Sequence, residues 1–358
     1  MSATPQTGPA TGAAVDAGGL PAVPRVTVIV PARDELARWP AVMRMLRAQT
    51  LTPDEVVVAD GMSTDGSREW LAEQAAADPT LVVVDNPDRV VPAALNVALD
   101  RATGDVVARM DTHADYAPDY LERVVAFLQA HPEVGGVGGA MATAGTGAWG
   151  RAIAAVLSRP VGLGGARHRV GGGAGPIVHV FSGCYRRERL VAAGGWDTRL
   201  HANEDFEMDV RVAATGGPVW LEPAATSTWY VRRDPAALAT QMWRYGYYKG
   251  LTLHLHPRSL RVRQLAPPAV VLTLLLGWLV SPRVTALLGA GYLAATAVLG
   301  ARAGRADGAS ALRAATVPAT VHLSWGAGLL VGLLRFARQG AAGPLRGPRP
   351  TGAVDRAR

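Results

Sequence analysis

Residues 26–67, VTVIVPARDELARWPAVMRMLRAQTLTPDEVVVADGMSTDGS, decide the fold. Val26 to Val30 are all β-branched, which suits an extended, half-buried strand. Leu36 to Gln49 read as a helix, and Glu55 to Asp60 form a second short apolar run before a Gly/Ser/Thr/Asp turn. A strand, a helix and a strand in close succession place two parallel strands side by side. Outward from this unit the alternation continues, with helices over 67–77 and 92–102 and strands over 81–85 and 106–110. The pattern predicts an α/β domain, a mostly parallel sheet flanked by helices. In such sheets ligands bind beyond the carboxyl ends of the strands. The residues that matter most are therefore Pro31 to Glu35, Asp60 to Ser67, Asn86 to Asn96 and Asp111 to Tyr116, polar and Gly/Pro-rich segments of the kind a nucleotide crevice requires.

The first strand is not followed by GxGxxG, and GxxxxGK[ST] occurs nowhere, which argues against a dinucleotide oxidoreductase and a P-loop NTPase. Of the 358 residues 49% are hydrophobic and 18% charged, against a globular norm of about 25% charged. The chain is too apolar for broad disorder, and a membrane-attached globular protein fits it better. The net charge of +7 averages two unlike parts: residues 251–358 hold thirteen arginines and two aspartates, leaving residues 1–250 acidic. Lys249 is the single lysine, so the arginine excess resembles a coding bias and does not imply a nucleic-acid partner. One cysteine, Cys184, excludes an internal disulfide and a multi-cysteine zinc site. Cytosolic exposure of the α/β domain is the default.

Residues 1–24 are Ala, Gly, Pro, Ser and Thr-rich without a basic n-region, so a disordered lead-in is expected in place of a signal peptide. Three uncharged stretches, 264–282, 284–301 and 314–334, approach the ~20 residues that cross a bilayer. Arg258, Arg261 and Arg263 precede the first, and Arg302, Arg305 and Arg313 follow the second, which places both loops in the cytoplasm. A third full span would put the basic tail outside, against the same rule. The expected organisation is a disordered tail over 1–24, an α/β domain over 25–250, a basic linker over 251–263, two to three membrane helices over 264–335, and a basic disordered tail over 336–358. The expected location is the inner, cytoplasmic membrane, with the α/β domain on its cytoplasmic side.

Several carboxylates stand where chemistry needs them. Asp60 ends the second strand and can accept hydrogen bonds from a nucleoside, whereas Asp65 to Ser67 equally serve to turn and cap the next helix. Asp111 and His113, two residues apart in an extended segment after Arg109, can share one divalent cation and its diphosphate, or simply form a turn. Glu204 and Asp205 open a helix, where acidic residues favour the dipole or one of them takes a proton from an attacking hydroxyl. A base in a desolvated, membrane-proximal site is open to an upward pKa shift. The Gly-rich segment 162–175, with Arg167, His168 and Arg169, reads either as a flap over the donor or as an unstructured loop. Trp243, Tyr245, Tyr247 and Tyr248 suit sugar stacking or an aromatic membrane belt.

VTVIVPARDE (26–35), DGMSTDGS (60–67), ALNVAL (94–99), RMDTHADY (109–116), GGWDTRLHANEDFEMDVR (194–211) and QMWRYGYYKG (241–250) together resemble the family 2 inverting glycosyltransferases of the GT-A fold. With GVGGA, RHRVGGG and HLSWGAGLLVG (322–332) they look like membrane-anchored exopolysaccharide glycosyltransferases of the succinoglycan type. The resemblance implies transfer of a hexose, with inversion, from a nucleoside-diphosphate sugar, a UDP-sugar by expectation, to a lipid-linked saccharide. It implies a divalent cofactor, Mn2+ or Mg2+, at Asp111 and His113. Pro31, Arg33, Glu35, Asp60, Asn96, Arg109 and Asp111 would bind the donor and Asp205 would be the base. Glu204 would position the acceptor, and Gln241, Arg244 and Tyr245 would match a Gln-x-x-Arg-Trp motif near the diphosphate and acceptor. Two departures matter: His113 replaces a second aspartate, softening the metal site toward Mn2+, and Tyr245 replaces the Trp of processive synthases, which favours one sugar per encounter. A polyprenyl-phosphate acceptor and a non-catalytic nucleotide-sugar-binding scaffold are the rival expectations.

Overall fold

The computed structural model describes residues 19–169 and 171–339. The disordered tails expected at the two termini fall largely on residues 1–18 and 340–358, outside the described residues. Strands β1 (Val26–Ala32), β2 (Glu55–Asp60), β3 (Leu81–Asp85) and β4 (Val106–Arg109) alternate with helices α1 (Trp39–Arg47), α2 (Ser67–Ala77) and α3 (Val91–Arg101). The four strands pair in parallel in the order β3, β2, β1, β4. Successive strand residues face opposite sides. Val28 and Val30 therefore pack with Trp39, Val42 and Leu46 of α1, while Ile29 packs beneath α3 against Leu95 and Leu99. Both faces of β1 are apolar because both are covered.

The chain then adds β5 (Ala114–Tyr116), α4 (Tyr120–Ala130), β6 (Gly136–Ala144), α5 (Gly147–Leu157), α6 (Pro160–Leu163), β7 (Gly175–Ile177), β8 (Cys184–Arg186), α7 (Arg187–Ala192), α8 (Glu204–Ala214) and β9 (Val219–Tyr230). This half of the sheet is mixed. β8 lies antiparallel between β4 and β6, and β9 runs parallel to β6 but antiparallel to β5 and β7. The expectation of a mostly parallel sheet thus holds for the half from which it was read. In this half, strands consecutive in the chain are not neighbours: the sheet continues β4, β8, β6, β9, β5, with β7 on β9, so its pairings join segments far apart in sequence. At the bulge between Gly139 and Ala140 the two long strands approach so closely that a Cβ on Gly139 would lie 1.8 Å from the Ala225 carbonyl oxygen, so only glycine fits.

Helix α9 (Pro235–Leu255) leads through two short 3-10 turns to α10 (Ala266–Leu276), α11 (Pro282–Ala306) and α12 (Ala311–Gln339). Asp234 caps α9 by accepting the Ala237 N–H. Three helical stretches, Val262–Leu279, Pro282–Ala306 and Ala311–Arg338, are long and apolar enough to cross a membrane. They differ in packing: the third is 39% buried within the protein, against 11% and 17% for the others. Helix α12 lies along α9 on a seam of small residues, where a Cβ on Gly246 would meet the Trp325 carbonyl oxygen at 2.0 Å and one on Gly328 the Trp243 carbonyl oxygen at 2.2 Å. Such residues let helix backbones touch. Two polar ties fix the helices to the α/β domain: Arg159 donates two hydrogen bonds of 2.7 Å to Asp307, and the His322 ring bridges Tyr292 Oη and Val161 O at 3.0 Å each.

Candidate active site

The carboxyl ends of β1 and β4, the start of α8 and the first half of α9 enclose a cleft of about 1320 Å3. Pockets for one small ligand measure roughly 300–1,000 Å3, so this cleft is larger than a single such ligand needs. Arg109, the last residue of β4, organises its floor. Nε and Nη2 donate to the two oxygens of Asp111 at 2.8 and 3.0 Å, and Nη1 donates to Glu204 Oε1 at 3.1 Å. Burial opposes its charge, but Asp111, Glu204 and Asp205 outweigh burial and raise its pKa further. One guanidinium therefore holds the end of β4 against the start of α8.

Asn203 enters α8 at φ +63, a left-handed conformation that asparagine tolerates, and its Nδ2 donates to the Tyr245 carbonyl at 2.9 Å. The turn before α8 is thereby tied to α9, and Glu204 and Asp205 both line the cleft. Asp205 Oδ1 accepts the Phe206 N–H at 2.7 Å, while Oδ2 lies 3.7 Å from His179 Nε2. Burial works against ionisation of Asp205, yet His179, Arg109, the Phe206 N–H and Arg169 more than offset it and hold its pKa below the ordinary carboxylate value. The upward shift to which a desolvated carboxylate is open is not what the surroundings favour here, because His179, Arg109 and Arg169 face Asp205. Glu204 moves up instead, pushed by burial and then by Asp205, with Arg109 opposing.

On α9, Gln241 Nε2 donates to Tyr245 Oη at 3.2 Å, and Gln241 Oε1 is buried without a protein partner. Arg244 Nη2 donates to the His201 carbonyl at 3.0 Å, and all three α9 residues line the cleft. The opposite wall carries Pro31, Arg33, Glu35, Asp111 and His113. His113 Nε2 lies 2.6 Å from Glu35 Oε1. Among the described residues, no three His, Cys, Asp or Glu side chains converge as a metal cage. Asp111 and His113 nevertheless face one cleft, and one carboxylate with one imidazole suits a cation whose other ligands are diphosphate and water. The donor set fits a metal that arrives with its diphosphate.

Two of the expected donor residues lie off the cleft wall. Asp60 is fully buried, and its carboxylate accepts from Ser63 N at 3.0 Å, Ser63 Oγ at 2.5 Å and Arg68 Nη1 at 2.7 Å. Its neighbour Gly61 lines the cleft. Asn96 staples α3 to Trp196, donating to the Trp196 carbonyl at 2.8 Å and accepting its N–H at 2.7 Å. Ala94 faces the cleft, and two residues further along a helix point roughly 200° away.

The structure also adds one residue that sequence motifs did not single out, His179, and brings to the cleft others whose place the sequence left open. His179 lines the cleft, and its Nδ1 lies 2.8 Å from the fully buried Asp209. No spacing rule links a histidine in an irregular segment to a carboxylate thirty residues later. The Gly-rich segment folds against the cleft, with Arg167, His168 and Arg169 on its wall and the Arg169 guanidinium 4.9 Å from the Trp229 ring centroid. Arg261 and Arg263, placed by sequence in a basic linker, line the same cleft, and Arg263 Nη1 donates to the Gly165 carbonyl at 3.3 Å.

Comparison with known proteins agrees with this architecture. The family described as Glycosyl transferase family 2 matches residues 27–189. The succinoglycan biosynthesis protein ExoA of Rhizobium meliloti (strain 1021) is 33% identical over 326 residues, covering 87% of this chain and 96% of that protein. The amylovoran biosynthesis glycosyltransferase AmsE of Erwinia amylovora is 28% identical over 178 residues, 49% of this chain and 64% of that one. A mannosyltransferase from Pyrobaculum calidifontis, solved in complex with GDP-Man and Mn2+, superposes with a TM-score of 0.57 at 22% identity, over 87% of this chain and 90% of that one. Its likeness supports the same GT-A fold. The match along nearly all of ExoA, on the mixed α/β sheet described above, makes this chain a glycosyltransferase of family 2.

Proposed function

We propose that the protein transfers a hexose, with inversion, from a nucleoside-diphosphate sugar to a lipid-linked saccharide during assembly of a cell-surface or extracellular polysaccharide. The observation that carries this reading is the meeting, in one cleft, of the Asp205 carboxylate with the segment that runs directly into α10. Arg261, Val262, Arg263 and Gln264 form part of the cleft wall, and three residues separate Val262 from the start of α10 at Ala266. An acceptor held in the bilayer by a lipid can therefore present its anionic head to these arginines and its sugar to Asp205. Similarity to ExoA and AmsE supports the polysaccharide context.

In the proposed step the acceptor hydroxyl attacks the anomeric carbon as the bond from that carbon to the diphosphate breaks. Asp205 takes the hydroxyl proton; its depressed pKa keeps it ionised at neutral pH. Glu204 orients the acceptor, and Arg244 offers positive charge to the departing diphosphate. A divalent cation, Mn2+ or Mg2+, held by Asp111 and His113 would supply further neutralisation of that charge. Gln241, with an unpartnered buried oxygen, is placed to accept a hydrogen bond from substrate.

The two basic loops expected in the cytoplasm, before α10 and after α11, both contact the α/β domain through Arg263 and Asp307. This supports a domain on the cytoplasmic face of the inner membrane. The packing of α12 along α9 supports two spans, α10 and α11, with α12 held against the domain. The test is nucleoside-diphosphate release by detergent-purified protein over a panel of UDP- and GDP-sugars with lipid extract, beside Asp205→Asn. Release lost in the variant bears the proposal out. Unchanged release refutes the base, and donor binding without release supports a scaffold. Mass spectrometry that finds one sugar on a lipid monophosphate would select the polyprenyl-phosphate acceptor instead.

A further inference from the structure

Behind Asp205 runs a chain of three titratable groups. Asp209, one turn further along α8, is fully buried and accepts from Tyr185 Oη at 2.7 Å, from the Val180 N–H at 3.0 Å, and from the His179 ring at 2.8 Å. These contacts fill its carboxylate, and it does not line the cleft, so substrate cannot be its partner. The ring it holds does reach the cleft, with Nε2 facing Asp205 Oδ2 at 3.7 Å. That distance exceeds a hydrogen bond and suits a charge pair.

We propose that His179 is a positioning residue for the catalytic base: clamped by Asp209, it holds the Asp205 carboxylate ionised and turned toward the acceptor. The proposal rests on reading Asp205 as the base. Burial disfavours a charged imidazole, but Asp205 and then Asp209 outweigh it, and the His179 pKa lies above the ordinary histidine value. Arg169 opposes that charge. His168, whose ring centroid lies 5.3 Å away, stays neutral, its pKa driven well down by burial and by Arg169. Phe206 packs on the ring at 5.9 Å and carries no charge. Around Asp205 itself stand Arg109, Arg169, Glu204, Tyr185 and Tyr245. The ring lies between the two carboxylates and does not itself take the acceptor proton. The new bond joins the acceptor oxygen to the anomeric carbon, the diphosphate leaves, and the proton rests on Asp205.

The decisive measurement needs no substrate. In full-length detergent-purified protein with ring-labelled histidine, the signal lost in His179→Gln identifies His179 by NMR. Its titration is expected to move to lower pH in Asp205→Asn, because an opposing carboxylate has become neutral. An unmoved titration overturns the proposal, whatever Asp205→Asn does to turnover. A second arm uses turnover with the active donor. His179→Gln is expected to lower kcat by about 10- to 100-fold, less than the ~10²–10⁴ a general base contributes. KM for the donor should hold, and the acid limb of the pH profile should move upward as Asp205 loses its cation. A lower kcat with an unshifted acid limb would mean that His179 only packs. If Asp205→Asn retains full turnover while the NMR coupling is present, the base assignment fails but the pair stands.

Discussion

Replacing Arg109 by Gln is the most informative single change, because it removes one charge shared by two buried partners. The Arg109, Glu204 and Asp111 side chains are 9%, 11% and 19% exposed, so solvent cannot substitute for the lost guanidinium. Removing one partner of a buried ion pair costs about 3–5 kcal/mol. At roughly 2–4 °C per kcal/mol for a domain of this size, the apparent Tm should fall by about 6–20 °C. The loss must also depend on pH. Glu204 already titrates above its ordinary value through burial and Asp205, and without Arg109, whose charge opposes protonation of both, Glu204 and Asp205 move upward. A folded-state pKa raised above the unfolded one contributes stability below the unfolded pKa and loses it as pH rises through the folded pKa. The deficit of Arg109→Gln should therefore be largest at neutral to alkaline pH and shrink as the solution is acidified toward the carboxylate range. Thermal unfolding of wild type and variant, followed by tryptophan fluorescence across pH in one detergent, measures it. A deficit constant with pH, or a Tm loss under a few degrees at neutral pH, would refute the account of Arg109 as the charge that makes this cleft tolerable.

Three further outcomes are expected. Gly246→Leu should destabilise the α9–α12 seam by at least the ~1–3 kcal/mol of overpacking, since its first side-chain carbon falls 2.0 Å from the Trp325 carbonyl oxygen; a clear drop in Tm and in yield of monodisperse protein checks it. A chelator should leave the Tm of ligand-free protein unchanged, because the described side chains build no cage, yet abolish nucleotide-sugar turnover, with Mn2+ restoring it better than Mg2+. An Arg338→Cys variant should react with an impermeant thiol reagent in inverted vesicles and stay protected in intact spheroplasts if α12 does not cross, and Cys184 gives no background because it is buried; labelling in intact spheroplasts would establish a third span.

The strand and helix periodicities of residues 26–110 were enough to specify the parallel half of the sheet, since every side chain's neighbourhood there is set by local alternation. Asp111, Glu204, Asp205, Gln241 and Arg244 were legible for a related reason: each sits at an element's end or on one helix face, where a motif fixes direction as well as identity. Apolar length likewise marked α10, α11 and α12. Local pattern did not disclose the antiparallel insertion of β8, because pairing between β4 and β8 joins residues some eighty positions apart. Nor did it disclose that Asn96 faces Trp196, that the linker arginines belong to the cleft, or that Asp205 is more acidic than a buried carboxylate should be. These facts share one physical reason. Hydrogen bonding and Coulomb attraction act through space over a few ångströms, so the charge state of Asp205 depends on Arg109, Arg169 and His179, which reach it from three different parts of the chain. Sequence supplied the groups and the chemistry open to each; tertiary folding decided which of them meet and in what state of charge.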